Sequence, residues 1–142
     1  MDYKEYALED GRPIDLNRLR IGFIPEEEYL IIHRNSIILC ADVLIECCGG
    51  FLLLERRNAP ALRELWPVGG RLQKGTSSEE GIMQVAKQES GLDLEDLALL
   101  NVSRTYFREA PLPHNKGTDT FNLMYVAKGR GRYRLIDFIQ VS

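Results

Sequence analysis

The clearest structural signal in the chain is residues 69–92, GGRLQKGTSSEEGIMQVAKQESGL. A glycine pair ends a short apolar piece, and residues 77–90 carry the pattern of a helix. Thr76 or Ser77 can accept a backbone hydrogen bond as N-cap, with a glutamate three residues later to close a capping box. Gly91 suits the position after the last helical turn, because glycine adopts left-handed backbone angles without strain. The stretch therefore predicts a strand, a loop and a helix.

One face of the predicted helix ends in a charge. Four residues follow the i, i+3, i+4, i+7 spacing that places side chains on one side of a helix: Ile82, Val85, Ala86 and Glu89. A carboxylate at the end of an apolar stripe is costly unless it is paired or binds a metal ion. Glu80 lies about 180° around the helix and is no partner. The spacing leaves two alternatives for Glu89, a ligand-binding carboxylate or a residue of a frayed last turn that contacts water.

The loop before this helix adds groups that suit a phosphate ligand. Gly69 and Gly70 allow the backbone to approach a ligand closely, because they carry no side chain. Arg56, Arg57 and Arg71 could surround the same mouth, and planar guanidinium groups match phosphate oxygens. A carboxylate, a backbone carbonyl and arginines suit a Mg²⁺–diphosphate, because Mg²⁺ takes oxygen ligands and keeps water and phosphate as the others. The alternative for the arginines is a solvated rim.

The flanking sequence supplies strands on both sides of the helix. Pro25 opens a short helix over residues 26–33, whose first turn holds three glutamates that the helix dipole favours. Apolar and β-branched runs predict five further strands, at residues 36–46, 51–56, 97–109, 119–128 and 133–141. Strands around one central helix indicate an α+β or mixed α/β fold. We expect residues 1–142 to form a single domain, with residues 1–22 as an N-terminal arm that is either irregular or a small leading element.

Composition excludes several classes of protein. The chain has 142 residues, 44% of them hydrophobic, which argues against disorder. A net charge of −3 gives no broad basic surface, so no nucleic-acid partner is predicted. No apolar run reaches the ~18 residues of a membrane span, and the first five residues do not resemble a signal peptide. Cys40, Cys47 and Cys48 form neither a disulfide framework nor a zinc pattern. These features predict reduced thiols, a cytoplasmic location and no membrane partner.

Residues 70–92 resemble the Nudix box. That pattern is Gly, five residues, Glu, seven residues, Arg-Glu, an aliphatic residue, any residue, Glu-Glu, any residue, Gly and an aliphatic residue. Four residues match its fixed positions in register, Gly70, Glu89, Gly91 and Leu92, and four others stand where the pattern has Glu or Arg: Thr76, Gln84, Val85 and Gln88. The flanking strands extend the resemblance over residues 36–130. It implies the Nudix fold, a mixed β-sheet sandwiched by helices.

Within that family the chain is most similar to the GDP-mannose mannosyl hydrolase branch. That branch also reads Gly-Gly-Arg-aliphatic-Gln-Lys, as residues 69–74 do here, and also retains only the last glutamate of the pair. Residues 58–60, Asn-Ala-Pro, and 117–119, Gly-Thr-Asp, are similar as well. The resemblance implies attack of water at the anomeric carbon of a nucleotide-sugar, with inversion. One carboxylate suits this reaction, because a nucleoside diphosphate leaves readily once its charge is neutralised.

The resemblance also implies roles for four residues. The Glu89 side chain and the Gly70 carbonyl would bind Mg²⁺ as the cofactor. Arg56 and Arg71 would bind the diphosphate of the substrate and stabilise it as it departs, which makes them catalytic residues as well as substrate-binding ones. The nucleotide-sugar would be GDP-mannose, hydrolysed to GDP and mannose.

The general base is not fixed by the resemblance. The branch carries a histidine in a loop near its C-terminus, and residues 130–142 do not match that segment. His114, in the loop at residues 111–117, is the first candidate for the base, because the loop could fold over the mouth of the site. Asp119 is a second candidate and a possible substrate ligand. His33 is expected to be structural.

Two other functions stay open at this point. The first is a pyrophosphohydrolase of a nucleoside diphosphate derivative, with carboxylates recruited from elsewhere, such as Glu46 or Glu55. The second is a catalytically inactive Nudix-fold module that binds a nucleotide. The apolar cluster at residues 29–32 could also contribute to a homodimer, or pack on its own sheet.

Overall fold

A mixed β-sheet forms the centre of the structure. The structure is a computed structural model, and it describes residues 2–133 and the backbone of residues 138–141. In chain order the described elements are β1 (Leu8–Glu9), β2 (Arg12–Pro13), a 3-10 turn (Leu16–Leu19), α1 (Glu26–Asn35), β3 (Ile38–Cys47), β4 (Gly50–Glu55), β5 (Leu65–Trp66), β6 (Val68–Arg71), α2 (Ser78–Ser90), β7 (Asp93–Phe107), β8 (Thr118–Arg130) and β9 (Phe138–Val141). This arrangement confirms the predicted α+β fold class. Neither α-helix of the described residues combines the length and the apolar character needed to cross a bilayer.

The main sheet is built around β3. Its strand order is β5-β4-β3-β8-β7, with β9 paired to β4 and β6 paired to β3. β3 and β8 run parallel, and the other described pairs are antiparallel. One edge of β3 is shared by two strands, because residues 40–43 pair with β6 and residues 45–47 pair with the start of β4. β6 and β4 therefore follow one another along the same edge of one strand.

The two faces of the sheet differ in chemistry, because alternate residues of a strand point to opposite faces. The core lies on the face that packs against α2, and buried apolar side chains from β3, β8 and α2 form it: Ala41, Val43, Ile45, Ile82, Ala86, Leu123, Tyr125 and Ala127. Each large aliphatic side chain buried there contributes about 1.5–3 kcal/mol. The opposite face of the same two strands is mostly polar: Ile38, Cys40, Asp42, Thr118, Thr120 and Asn122. Helix α1 borders this polar face, so the sheet lies between the two helices, as predicted.

Helix α2 begins and ends where the sequence indicates. The Ser77 hydroxyl accepts a hydrogen bond from the Glu80 backbone N–H at 3.2 Å, which makes Ser77 the N-cap. Gly91 ends the helix with a φ of 77°, a left-handed conformation that glycine tolerates. The other half of the predicted capping box does not form, because the Glu80 carboxylate lies 3.5 Å from the Arg20 guanidinium instead.

The N-terminal arm forms a short β-hairpin and a 3-10 turn and packs along the start of α2, which fits the second of the two alternatives, a small leading element. The two oxygens of the Glu5 carboxylate accept hydrogen bonds from the Ser78 backbone N–H at 3.1 Å and from its hydroxyl at 2.6 Å. The Arg20 Nε donates to the Gly75 carbonyl at 3.2 Å. A Cβ at Gly75 would lie 2.7 Å from the Leu16 carbonyl oxygen, so only glycine allows this close approach. The arm therefore fixes both the loop before α2 and its first turn.

Several boundaries differ from the sequence prediction. Helix α1 continues to Asn35, two residues beyond the expected end. Strand β7 begins at Asp93, four residues before the predicted start. Its first residues include acidic side chains, and its pairing with β8 is irregular between Glu95 and Ala98, so the sequence there lacks the pattern of a regular strand. The last predicted strand is present as β9, while residues 134–137 lie outside the described residues.

Candidate active site

A cavity of about 350 Å³ opens on the polar face of the sheet. Side chains from α1, β3, β6 and β8 line it, together with the segment that follows β4 and the last turn of α2. Arg56, Gly70, Arg71 and Glu89, which the sequence placed in one site, all line this cavity. The structure therefore brings together the four residues that were expected to bind the metal ion and the diphosphate.

A buried aspartate that was not singled out from the sequence lines the same cavity. Asp42, in the middle of β3, is only 5% exposed, and its Oδ2 accepts a hydrogen bond from the Asn122 amide at 3.0 Å. The Thr120 hydroxyl donates in turn to the Asn122 carbonyl oxygen at 2.8 Å, which orients that amide. Burial raises the pKa of Asp42 to about 6, although the Asn122 hydrogen bond and the Arg56 charge favour the ionised form. The signal in the sequence is one acidic residue inside the apolar run at residues 36–46.

Glu89 reaches the cavity from the end of α2, close to Asp42. The pKa of Glu89 is raised, mainly because the carboxylate is partly buried against the cavity wall and also because the Asp42 charge is near. A hydrogen bond from the Gly69 backbone N–H opposes this rise. The side chain nevertheless keeps access to solvent at the rim. Of the two alternatives left open for this residue, the geometry favours a ligand-binding carboxylate over a frayed end.

The two glycines of β6 differ in what surrounds them. A Cβ at Gly69 would overlap Asp42 Oδ1 and lie 2.5 Å from the Ala41 carbonyl oxygen, so Asp42 occupies the space that a side chain would need. A Cβ at Gly70 would meet no atom within 4 Å, and Gly70 borders the open cavity. Gly69 therefore makes room for the aspartate, and Gly70 leaves the backbone open to a ligand.

Both predicted arginines are held by contacts other than ion pairs. The Arg56 Nε donates to the Pro60 carbonyl at 2.6 Å, and its guanidinium lies 5.5 Å from the centre of the Trp66 ring. The Arg71 guanidinium stacks over the Tyr29 ring at 4.8 Å. Within the described residues neither guanidinium forms a salt bridge with a carboxylate, so both keep charge and N–H donors for an anionic ligand.

His114 is not among the residues that line the cavity, which corrects its assignment as the general base. Its Nδ1 accepts a hydrogen bond from the Lys116 backbone N–H at 3.1 Å, and its Nε2 lies 2.7 Å from His33 Nδ1. Both ring nitrogens are therefore occupied, and no lone pair is left for a water molecule. His33, expected to be only structural, does line the cavity and is 6% exposed. Burial lowers the pKa of His33, and the nearby His114 lowers it further.

Asp119 is also outside the cavity, because strand alternation directs it to the other face of β8. Its neighbours Thr118 and Thr120 face the cavity. The Asp119 carboxylate instead accepts two hydrogen bonds from the exposed Arg104 guanidinium, at 2.9 and 2.7 Å, and Arg104 holds the pKa of Asp119 below its usual range. The structure therefore corrects its assignment as a base or a substrate ligand.

Two carboxylates of the cavity, Asp42 and Glu89, lie close enough for the charge of one to affect the other. Within the described residues no group of three or more His, Cys, Asp or Glu side chains is arranged to hold a metal ion. Glu89, with Asp42 close by and the Gly70 backbone at the same wall, supplies the hard oxygen donors that Mg²⁺ accepts when phosphate and water complete its shell. Glu55 lines the cavity too, whereas Glu46 does not.

Comparison with known proteins identifies the fold. No protein-family model matches the chain. The low-salt glycan biosynthesis protein Agl8 of Haloferax volcanii is 34% identical over 71 residues, which span 50% of this chain and 46% of that protein. The MutT NUDIX hydrolase of Burkholderia pseudomallei is similar in structure, with a TM-score of 0.61, 20% identity, and coverage of 76% of this chain and 82% of that one.

A second similar structure is the NUDIX domain of Shewanella oneidensis NrtR complexed with ADP ribose. Its TM-score is 0.55 at 18% identity, with coverage of 84% of this chain and 78% of that one. At such low identity the likeness concerns architecture alone. The chain therefore has the Nudix fold, as its resemblance to the Nudix box implied.

Proposed function

We propose that the protein is a Mg²⁺-dependent hydrolase of a nucleotide-sugar, with GDP-mannose as the first substrate to test, and that it releases GDP and mannose. The observation that carries this proposal is the composition of one cavity. Asp42 and Glu89 line it together with Arg56 and Arg71, so acidic and basic groups face the same space. A diphosphate that is bound through a cation needs both kinds of group.

Two similar proteins support a ligand of this chemical class. Agl8 is named for glycan biosynthesis, and it matches half of this chain. The NrtR domain is complexed with ADP ribose, which is a nucleoside diphosphate joined to a sugar. The proposed ligand has the same linkage as ADP ribose, a diphosphate between a nucleoside and a sugar.

The roles of the cavity residues follow from their charges and contacts. Glu89 and the Gly70 carbonyl would hold Mg²⁺, which when bound withdraws charge from the diphosphate and makes it a better leaving group. Arg56 and Arg71 neutralise further charge on the same oxygens. Their guanidinium groups are already fixed by Pro60 and the Trp66 ring, and by the Tyr29 ring, so little reorganisation is needed in the transition state.

Asp42 replaces His114 and Asp119 as the proposed general base, because its carboxylate faces the cavity and is oriented by Asn122. In the reaction a water oxygen forms a bond to the anomeric carbon, and the bond from that carbon to the diphosphate oxygen breaks. The electron pair of that bond goes to the diphosphate, and the water proton goes to the Asp42 carboxylate. Attack opposite the leaving group inverts the configuration of the sugar carbon.

Hydrolysis of GDP-mannose in ¹⁸O-labelled water with Mg²⁺ tests the proposal. We expect GDP and mannose as products, with the label in mannose. Formation of GMP and mannose 1-phosphate, with the label in phosphate, would contradict attack at carbon and support the pyrophosphohydrolase, for which Glu55 is available in the cavity. Binding of GDP-mannose without turnover would indicate the inactive nucleotide-binding module.

A further inference from the structure

The loop at residues 111–117 fixes the protonation pattern of a histidine pair. A backbone N–H can only donate, so the Lys116 N–H at 3.1 Å requires His114 Nδ1 to be an acceptor without a proton. A neutral imidazole carries one proton, which must then be on His114 Nε2. That atom lies 2.7 Å from His33 Nδ1, so His114 donates and His33 accepts. The remaining proton of neutral His33 must therefore be on its Nε2.

The His33 ring lines the cavity, and Nε2 is the ring nitrogen that does not face His114. In the part of the chain that the structure describes, no fully buried side-chain nitrogen or oxygen lacks a hydrogen-bond partner. His33 Nε2 makes no hydrogen bond to another described side chain, so it keeps contact with open space. The ring packs edge-on against Tyr29 on the same helix, with 5.9 Å between ring centres. Tyr29 in turn carries the stacked Arg71 guanidinium at 4.8 Å. His33 is thus adjacent to the group that we assign to the diphosphate.

We propose that His33 donates an uncharged hydrogen bond from Nε2 to a diphosphate oxygen of the ligand, and that His114 is the positioning residue that fixes this tautomer. This inference rests on the proposed function, because it assumes a diphosphate in the cavity. Phosphate oxygens only accept hydrogen bonds. With the opposite tautomer, His33 Nε2 would direct a lone pair at the phosphate oxygens. The hydrogen bonds from Lys116 to His114 and from His114 to His33 instead leave a proton on His33 Nε2, which can be donated to them.

The chain of hydrogen bonds also keeps His33 neutral. A protonated His33 would need an acceptor for its Nδ1–H. His114 Nε2 cannot accept, because it carries the His114 proton while His114 Nδ1 accepts from the Lys116 backbone N–H. The groups that face His33 are His114 from the loop and Tyr29 from α1, and Arg71 lies against Tyr29. None of them is an acid that would favour the imidazolium ion.

Nitrogen NMR of the ligand-free protein tests the relay without reference to any substrate. In ¹⁵N-labelled protein at pH 7.5 we expect proton-bearing Nε2 and proton-free Nδ1 shifts for both histidines, and a scalar coupling across the hydrogen bond from His114 Nε2 to His33 Nδ1. A proton on His33 Nδ1 would overturn the proposal. In His114→Gln the amide can still donate to His33, so the His33 shifts should persist; in His114→Leu they should become a tautomer mixture.

Calorimetric binding of GDP with Mg²⁺ tests the donor. His33→Leu should weaken GDP binding about tenfold or more, the usual effect of losing a hydrogen bond to a charged group, and His33→Gln should restore most of it because its amide N–H reaches a similar position. Equal GDP affinity of the unsubstituted protein and His33→Leu would overturn the donor role and leave the proposed function intact. If the unsubstituted protein does not bind GDP, the proposed function and the donor role both fail, and the NMR result still decides the relay.

Discussion

Asp42 shows how a single carboxylate can be kept inside a strand of the core sheet. Removing a charge from water is costly unless hydrogen bonds compensate. Asn122 and Thr120 supply such a network, and Gly69 supplies the space, so three residues from two neighbouring strands accommodate one acidic group. Asp119 shows the opposite case, a half-exposed carboxylate that points to the other face of β8 and pairs with the exposed Arg104.

We expect Asp42→Asn to lower kcat for GDP-mannose at least a hundredfold, because a general base contributes about 10²–10⁴ to the rate. The melting temperature should stay the same or rise, because the buried charge is lost while an acceptor for Asn122 remains. The matched control is Asp119→Asn, the same chemical change at a residue of β8 that points away from the cavity, which should leave kcat unchanged. Full activity of Asp42→Asn, measured as GDP release at saturating Mg²⁺, would remove Asp42 from the mechanism.

At the scale of elements, β6 places two glycines side by side for different reasons. Gly69→Ala should destabilise the protein by about 2–3 kcal/mol or more, because the new Cβ would overlap Asp42 and the Ala41 carbonyl. Gly70→Ala should change stability by less than about 1 kcal/mol, because its Cβ meets open space and alanine costs less backbone entropy than glycine. Thermal unfolding followed by circular dichroism measures both. Equal loss of stability in the two variants would contradict the crowding at Gly69.

The contact between the arm and α2 gives a stability that depends on pH. Burial alone would raise the pKa of Glu5, but hydrogen bonds from Ser78 and Tyr3 hold it below its usual value. A lowered carboxyl pKa stabilises the folded state above the pKa of the unfolded chain, about 4.5, and this contribution is lost as the pH falls through the folded value. At pH 7 Glu5→Gln should cost about 0.5–1 kcal/mol, since a carboxylate at a helix N-terminus is lost.

Melting temperatures of the unsubstituted protein and Glu5→Gln between pH 3 and pH 7 check this expectation. The difference between the two should be largest at pH 7 and should close as the pH falls below about 4.5. Glu9→Gln, on the exposed hairpin of the same arm, should show no comparable difference at any pH. A constant difference for Glu5→Gln across this range would show that the carboxylate charge plays no part.

The elements could be predicted from the sequence where local chemistry defines them. Ser77 and Gly91 mark the ends of α2 through capping, and the apolar runs of β3 and β8 mark the strands that form the centre of the sheet. β7 was predicted too short because its polar side chains face solvent at an edge. The packing of the arm on α2 involves residues more than seventy positions apart, as Glu5 and Ser78 are, which no local pattern reveals.

Some residues of the candidate site could be predicted from the sequence, and others could not. The resemblance to the Nudix box located Gly70 and Glu89, and both line the cavity. His114 and Asp119 were chosen because their residue types suit proton transfer, yet side-chain direction depends on the loop path and on strand register, which the sequence does not display. The roles of Gly70, Glu89 and the two arginines, a Mg²⁺ site, a cytoplasmic location and a homodimer stay predictions. The exposed Ile31 and Ile32 of α1 are available for a contact between two copies of the chain.

At the scale of the whole molecule, a ligand that binds only the folded state must stabilise it. GDP with Mg²⁺ at a hundred times its dissociation constant should add about 2.7 kcal/mol, which corresponds to a rise of several degrees in melting temperature. Chelation of Mg²⁺ should remove most of that rise, because the diphosphate then meets two carboxylates without a bridging cation.

The matched variants for this experiment differ only in position along α2. Glu89→Gln should lose the Mg²⁺-dependent part of the rise, while Glu79→Gln, exposed in the first turn of the same helix, should keep it. Differential scanning fluorimetry with and without a chelator measures both. An undiminished rise in Glu89→Gln would mean that the cation is held by other groups.

The shared edge of β3 has a consequence for engineering the protein. Residues 40–43 pair with β6, which borders the cavity, while residues 45–47 pair with the start of β4. The turn at Cys48 and Gly49 that joins β3 to β4 therefore lies at the far end of β3 from the cavity. A short epitope or a fluorophore inserted at that turn should leave the cavity unchanged. A library restricted to Gly70 and Arg71 should alter recognition, while an unchanged Val68 and Gly69 keep the strand packed.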